Sequence, residues 1–127
     1  MNGKDRIKFL IDSNIIIYHL NNDEIATSFL IKNFEKCGIS LITYIEVLSF
    51  NFENSQFDNV KEFLENFHIY EIDKKISIQA INNRKKKKIK IPDNLIASTA
   101  LVNNLTLITR NVDDYTSINV NIKNIYE

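Results

Sequence analysis

Hydrophobic residues fall along this chain in two alternating rhythms. Short, mainly apolar runs at residues 7–11, 39–42, 69–72 and 105–108 each end in a polar cluster, as buried strands do. Between them, apolar residues recur at helical spacing. A short helix is expected from Ile15 to Leu20. A longer one opens at Asp23-Glu24, carries Ile25, Phe29, Leu30 and Phe34, and is expected to stop at Gly38. Thr43-Tyr44-Ile45-Glu46 has capping-box form for a helix bearing Val47, Leu48 and Phe50. Residues 55–67 place Phe57, Val60, Phe63, Leu64 and Phe67 on one stripe. Residues 75–88 place Ile76, Ala80 and Ile81 inward and end in a basic run. Pro92 suits the first turn of a helix that continues through Leu95, Ala97, Ala100 and Leu101. A last strand is expected around residues 120–125. Continuous apolar strands alternating with helices predict an α/β chain, its mainly parallel sheet of four to five strands covered by helices on both faces.

Composition narrows the class. At 127 residues, with 44% hydrophobic and 25% charged residues, the chain reads as one globular domain over residues 1–127, with no repeat or linker. Sixteen basic and sixteen acidic residues cancel, so overall charge does not announce a nucleic-acid partner. A single cysteine, Cys37, excludes an intrachain disulfide and a cysteine-based metal cluster. Lys4, Arg6 and Lys8 precede an apolar run as in a signal peptide, but Asp12, Asn14 and His19 interrupt that run and no small-residue cleavage site follows. No stretch approaches the roughly 20 apolar residues of a membrane span. A cytoplasmic protein without a membrane partner is the expectation.

Candidate chemistry lies where strands end, since open α/β sheets bind ligands beyond the carboxyl ends of their strands. Asp12 follows the first strand, Glu46 the second and Asp114 the fourth. Asp93 opens the helix that leads into the fourth strand, and in a right-handed crossover that helix begins at the same sheet edge. Four carboxylates converging there would raise one another's pKa, and a hard divalent cation such as Mg²⁺ or Mn²⁺ relieves the repulsion. Metal-activated water is then the simplest nucleophile, because neither His19 nor His68 lies in these segments to pair with a serine or cysteine. Each acid also has a purely structural use. Asp12 and Asp114 can serve turns, Glu46 the capping box, and Asp93 the helix dipole, worth about 0.3–1 kcal/mol.

The text around the acids carries a resemblance. FLIDSN at 9–14, LITYIEVL at 41–48, KIPDNLIASTAL at 90–101 and LTLITRNVDDY at 105–115 follow the order of motifs in PIN domains. Residues 80–101 are especially similar to the branch containing the VapC-like toxin ribonucleases of toxin–antitoxin pairs. The resemblance implies a three-layer α/β/α fold and RNA hydrolysis dependent on Mg²⁺ or Mn²⁺. It further implies a homodimer silenced by a small cognate antitoxin. Asp12, Glu46, Asp93 and Asp114 match the catalytic, metal-holding acids, and Asn14 and Thr109 the polar companions that orient water or a carboxylate. Asn111 stands where many relatives have Asp; if that is the family's fourth acid, Asp114 must substitute for it.

The basic run at 84–88, with Lys90, serves either as a solvated helix end or as an RNA-backbone contact, for which Arg84, Lys88, Lys90 and Arg110 are the candidates. Two rivals stand beside the nuclease: a catalytically inactive PIN-like module binding RNA or protein, and a receiver-like signalling domain. A receiver needs paired acids near the first strand's end and a lysine directly after the fourth strand; the chain has neither.

Overall fold

Strand pairing sorts the apolar runs into a parallel sheet whose order is not the order of the sequence. The computed structural model describes residues 6–127; Lys4 of the basic start lies outside them. Strands β1 (Phe9–Ile11), β2 (Cys37–Ser40), β3 (His68–Tyr70), β4 (Thr106–Ile108) and β5 (Ile122–Lys123) lie in the order β3-β2-β1-β4-β5, every neighbouring pair parallel. The chain starts in the middle, builds outward through β2 and β3, then crosses back to place β4 on the other side of β1. The order reverses between β1 and β4, which makes their carboxyl ends the switch point where ligands of such sheets bind.

Helices α1 (Ser13–Leu20), α2 (Glu24–Asn33), α3 (Leu41–Leu48), α4 (Asn54–Glu65), α5 (Lys74–Lys86) and α6 (Ile91–Val102) cover the sheet. Alternation along a strand sends consecutive side chains to opposite faces. Ile11 and Ile108 accordingly join Ile15, Ile16, Leu30, Val47 and Leu64 in one core cluster, whereas their neighbours Leu10 and Leu107 join Ile96, Ala97, Ala100 and Tyr115 in the other. Two cores on one sheet are the three-layer arrangement. Among the described residues no helix is long and apolar enough to cross a membrane.

Most helix starts are explained by one side chain. Asp23 accepts from the Ala26 amide at 2.9 Å, Ser40 from Ile42 at 3.0 Å and Asp73 from Ile76 at 2.9 Å, each satisfying a donor the helix cannot. Several expected boundaries move. Gly38 does not end α2; the helix gives way to a 3-10 turn (Phe34–Lys36), and Gly38 lies within β2. Helix α3 begins at Leu41, so residues 41 and 42 are helical rather than strand. On α5, Ile81 faces solvent and Asn83 occupies the buried side with Ile76 and Ala80, because Asn83 finds polar partners on α6.

Gly38 is required by close approach. A Cβ there would stand 2.8 Å from the Tyr70 ring and 3.1 Å from the His68 carbonyl of the neighbouring strand. Gly38→Ala should therefore lower unfolding stability by about 1–3 kcal/mol, the usual cost of overpacking, without changing the cooperativity of urea denaturation. A variant as stable as the parent would show that Tyr70 yields freely.

Candidate active site

The carboxyl ends of β1 and β4 are joined through Asp12. Asp12 is 5% exposed, and three donors hold its carboxylate, one from the next residue and two from beyond β4. Oδ1 accepts from the Ser13 amide at 2.8 Å; Oδ2 accepts from the Thr109 hydroxyl at 2.8 Å and the Tyr115 hydroxyl at 2.9 Å. A buried carboxylate without such donors would lose its charge or destabilise the fold. Burial here outweighs the donors and raises the Asp12 pKa, and the nearby Glu46 charge adds to the rise.

A polar chain extends from this point. Thr109 Oγ1 also accepts from the Asn14 amide nitrogen at 3.1 Å and the Asn111 backbone N–H at 3.0 Å. Asn14 Oδ1 in turn accepts from the Arg110 N–H at 3.1 Å. Asn14 and Thr109 thus orient the first acid and the loop after β4. Asn111 takes part through its main chain and precedes the 3-10 turn Val112–Tyr115 that carries Asp114.

Glu46 is held from the β1–α1 junction. Ser13 Oγ donates to Glu46 Oε1 at 2.6 Å and lies 3.1 Å from Thr43 Oγ1. The capping-box expectation for Thr43 and Glu46 is overturned. Ser40 caps α3, so Glu46 lies in the second turn of the helix and its carboxylate serves no helix start.

Asp93 lies in the first turn of α6, whose cap residue Lys90 supplies no side-chain hydrogen bond. The helix's register is fixed by the next residue, Asn94, which is 1% exposed. Asn94 donates to the Ala80 carbonyl at 2.8 Å and accepts from Asn83 at 3.0 Å. Burial pushes the Asp93 carboxyl up to about 6, and the charges of Asp114, Asp12 and Glu46 push in the same direction, opposed by Lys90. Asp93 therefore lies within electrostatic reach of the other three predicted acids. The proton on Tyr115 is held firmly, its pKa raised by burial and then by the Asp12, Asp93 and Asp114 charges.

The donor chemistry fits a hard divalent cation: carboxylate oxygens, mutually repelling, at a switch point. Among the described residues, however, no three His, Cys, Asp or Glu side chains stand close enough together to grip one ion. Asp12 is buried and fixed by its donors, whereas Glu46 and Asp93 are partly buried and Asp114 is exposed.

The predicted basic contacts separate. Lys90 is within electrostatic reach of Asp93. Arg84 donates to the Ile89 carbonyl at 3.0 Å and so braces the α5–α6 link, while Lys88 is exposed beside it. Arg110 stacks its guanidinium 4.2 Å from the Tyr126 ring centre and 5.3 Å from that of Tyr18, with Asp23 accepting the Tyr126 hydroxyl at 2.6 Å. Sequence reasoning gave Ser13, Tyr115 and the Asn83–Asn94 pair no role, and Thr43 only that of a helix cap. Ser13 and Tyr115 stand inside the PIN-like motifs, but only tertiary contact reveals what they hold.

A family model described as PIN domain matches residues 9–118. The chain is similar to a toxin–antitoxin complex from Klebsiella pneumoniae, with 31% identity, 94% of this chain and 99% of that one covered, and a TM-score of 0.82. It is similar to VapBC-1 from nontypeable Haemophilus influenzae at 25% identity, with 95% and 100% coverage and a TM-score of 0.79. DNA-bound VapBC from Salmonella typhimurium shares the fold at 21% identity, 94% and 98% coverage and a TM-score of 0.82. No curated protein matches the chain.

The elevated Asp93 pKa sets a pH signature. An acid whose folded pKa exceeds its unfolded value favours the folded state while protonated, and that contribution is lost as pH rises from about 4 through about 6. In EDTA, Asp93→Asn should therefore be more stable than the parent at pH 7.5, by about 1 kcal/mol once solvent screening is allowed for. Urea denaturation should show the gap closing below pH 4. A variant less stable than the parent at pH 7.5 would contradict the repulsion.

Proposed function

This chain belongs to the PIN-domain family, and on that premise we propose that it is an endoribonuclease dependent on Mg²⁺ or Mn²⁺, the toxin of a toxin–antitoxin pair. The observation that carries the reading is the charge coupling of Asp93 with Asp114, Asp12 and Glu46 at the β1/β4 switch point. Asp12, Glu46, Asp93 and Asp114 would hold the ion. When bound, it supplies the positive charge that makes a phosphodiester susceptible to water.

The remaining work belongs to the chain's own groups. Ser13, Thr109 and Tyr115 keep the Asp12 carboxylate in one orientation. Ser13 also restrains Oε1 of Glu46. The Asn83–Asn94 contact fixes where Asp93 emerges. Lys90, with exposed Lys88 nearby, supplies local positive potential for an RNA backbone beside acids that would otherwise repel it. Similarity to a toxin–antitoxin complex supports a cognate antitoxin as partner, and the family resemblance supports a homodimeric state.

A second reading, a PIN-like module that binds RNA or protein without cutting, draws on two observations. One is Asn111, at a position where the family resemblance implies Asp in many members; the other is the lack, among the described residues, of three acids already gathered on one point.

Purified protein incubated with total RNA separates the two. Cleavage should require Mg²⁺ or Mn²⁺, stop in EDTA, and fall at least a hundredfold in Asp12→Asn and Asp93→Asn. Intact RNA under every condition selects the non-catalytic module, and equal cleavage by parent and variants places the activity elsewhere.

Backbone contact by the basic segment is tested apart from chemistry. Replacing Lys88 and Lys90 with Glu should weaken RNA retention and flatten its salt dependence, by roughly 0.7 in logarithmic slope for each phosphate no longer neutralised. An unchanged slope would make the run a solvated helix end.

A further inference from the structure

Tyr115 puts a hydroxyl where the packing needs only a ring. Its side chain is 1% exposed and packs in the core cluster with Leu10, Ile96 and Leu107. A phenylalanine would fill that volume without a buried polar atom to satisfy. The hydroxyl goes to Asp12 Oδ2 at 2.9 Å, the oxygen that Thr109 already contacts at 2.8 Å. An sp² oxygen has two lone pairs, so both on Oδ2 are engaged. Among the described residues Oδ1 accepts only from the Ser13 amide, which leaves it one lone pair.

We propose that Tyr115 is a positioning residue that, with Thr109, saturates one oxygen of Asp12, so that the carboxylate meets a divalent cation through Oδ1 alone in a fixed orientation. This rests on the metal-site reading above. The two hydroxyls arrive from different places, Thr109 at the end of β4 and Tyr115 at the end of the 3-10 turn carrying Asp114. Tyr115 therefore also ties the Asp114 turn to Asp12. Partners behind a ligand orient it and tune its affinity, and their loss characteristically weakens metal binding 10–100-fold.

The test is Tyr115→Phe, which keeps the ring and removes one oxygen. Mn²⁺ binding is followed by electron paramagnetic resonance of the free ion, on parent, Tyr115→Phe and Asp12→Asn, alongside thermal unfolding in EDTA. The expected result is Mn²⁺ affinity about tenfold weaker in Tyr115→Phe. With RNA at saturating Mn²⁺, kcat should fall while KM for RNA stays unchanged, since the phenol lies behind Asp12 and touches no substrate. Thr109→Ser, which retains a hydroxyl, should bind Mn²⁺ as the parent does, showing that the donor rather than the bulk matters.

Parental Mn²⁺ affinity in Tyr115→Phe, with only a lower unfolding temperature, overturns the proposal and leaves Tyr115 a core residue. Tighter binding overturns it too, because it means Oδ2 joins the ion when released. Failure of the parent to bind Mn²⁺, or binding equal in parent and Asp12→Asn, overturns the metal-site reading and this inference with it. That outcome is distinct from a change confined to Tyr115.

Discussion

A buried carboxylate at the meeting point of the two central strands is the constraint on which this structure turns. Asp12 sits where water cannot stabilise its charge, so the protein must supply donors, and it draws them from Ser13, Thr109 and Tyr115. Ninety-seven residues separate Asp12 from Thr109, so the pair forms only when β1 and β4 lie in register, Ile11 opposite Ile108. A one-residue slip would invert every core side chain of these strands and separate the hydroxyl from the acid at once. Packing and chemistry are therefore specified by the same alignment.

The acids oppose that packing. Asp93 is pushed up to about 6 by burial and by three neighbouring charges, and burial raises Asp12 as well. Bringing them together is electrostatically unfavourable, and two core clusters with their helix caps must offset it. Strain kept at a functional site and compensated elsewhere is a familiar pattern in folded proteins. A divalent cation would reverse the sign of this local term, turning the repelling rim into the region most stabilised by a ligand.

Supports around the rim are polar where a generic α/β domain would be apolar. Asn83, Asn94 and Ser98 form a buried network between α5 and α6 in which each member has a partner, and it fixes the register of the helix bearing Asp93. Arg110 leaves the sheet beside Thr109 and lies against Tyr126 and Tyr18, fastening the end of the chain near the start of α2. The buried Asn83–Asn94–Ser98 contacts cost little to satisfy and much to break singly, since removing one member strands the others in the interior.

By itself, the sequence determined the periodicities, and with them the class of fold. Apolar runs alternating with helical stripes require a parallel sheet covered on both faces, and the placing of Asp12, Glu46, Asp93 and Asp114 near strand and helix junctions follows from the same pattern. Boundaries were less legible. Gly38 reads as a helix stop from local propensity, yet its role is to let Tyr70 approach across the sheet. Thr43 and Glu46 read as a capping box, but Ser40 captures the helix start and releases Glu46 toward Ser13. Only the tertiary structure could decide that Asn83 rather than Ile81 faces inward, and that Ser13 and Tyr115 hold acids. Those assignments depend on which strand lies beside which, and hydrogen bonds between residues a hundred positions apart leave no periodic trace along the chain.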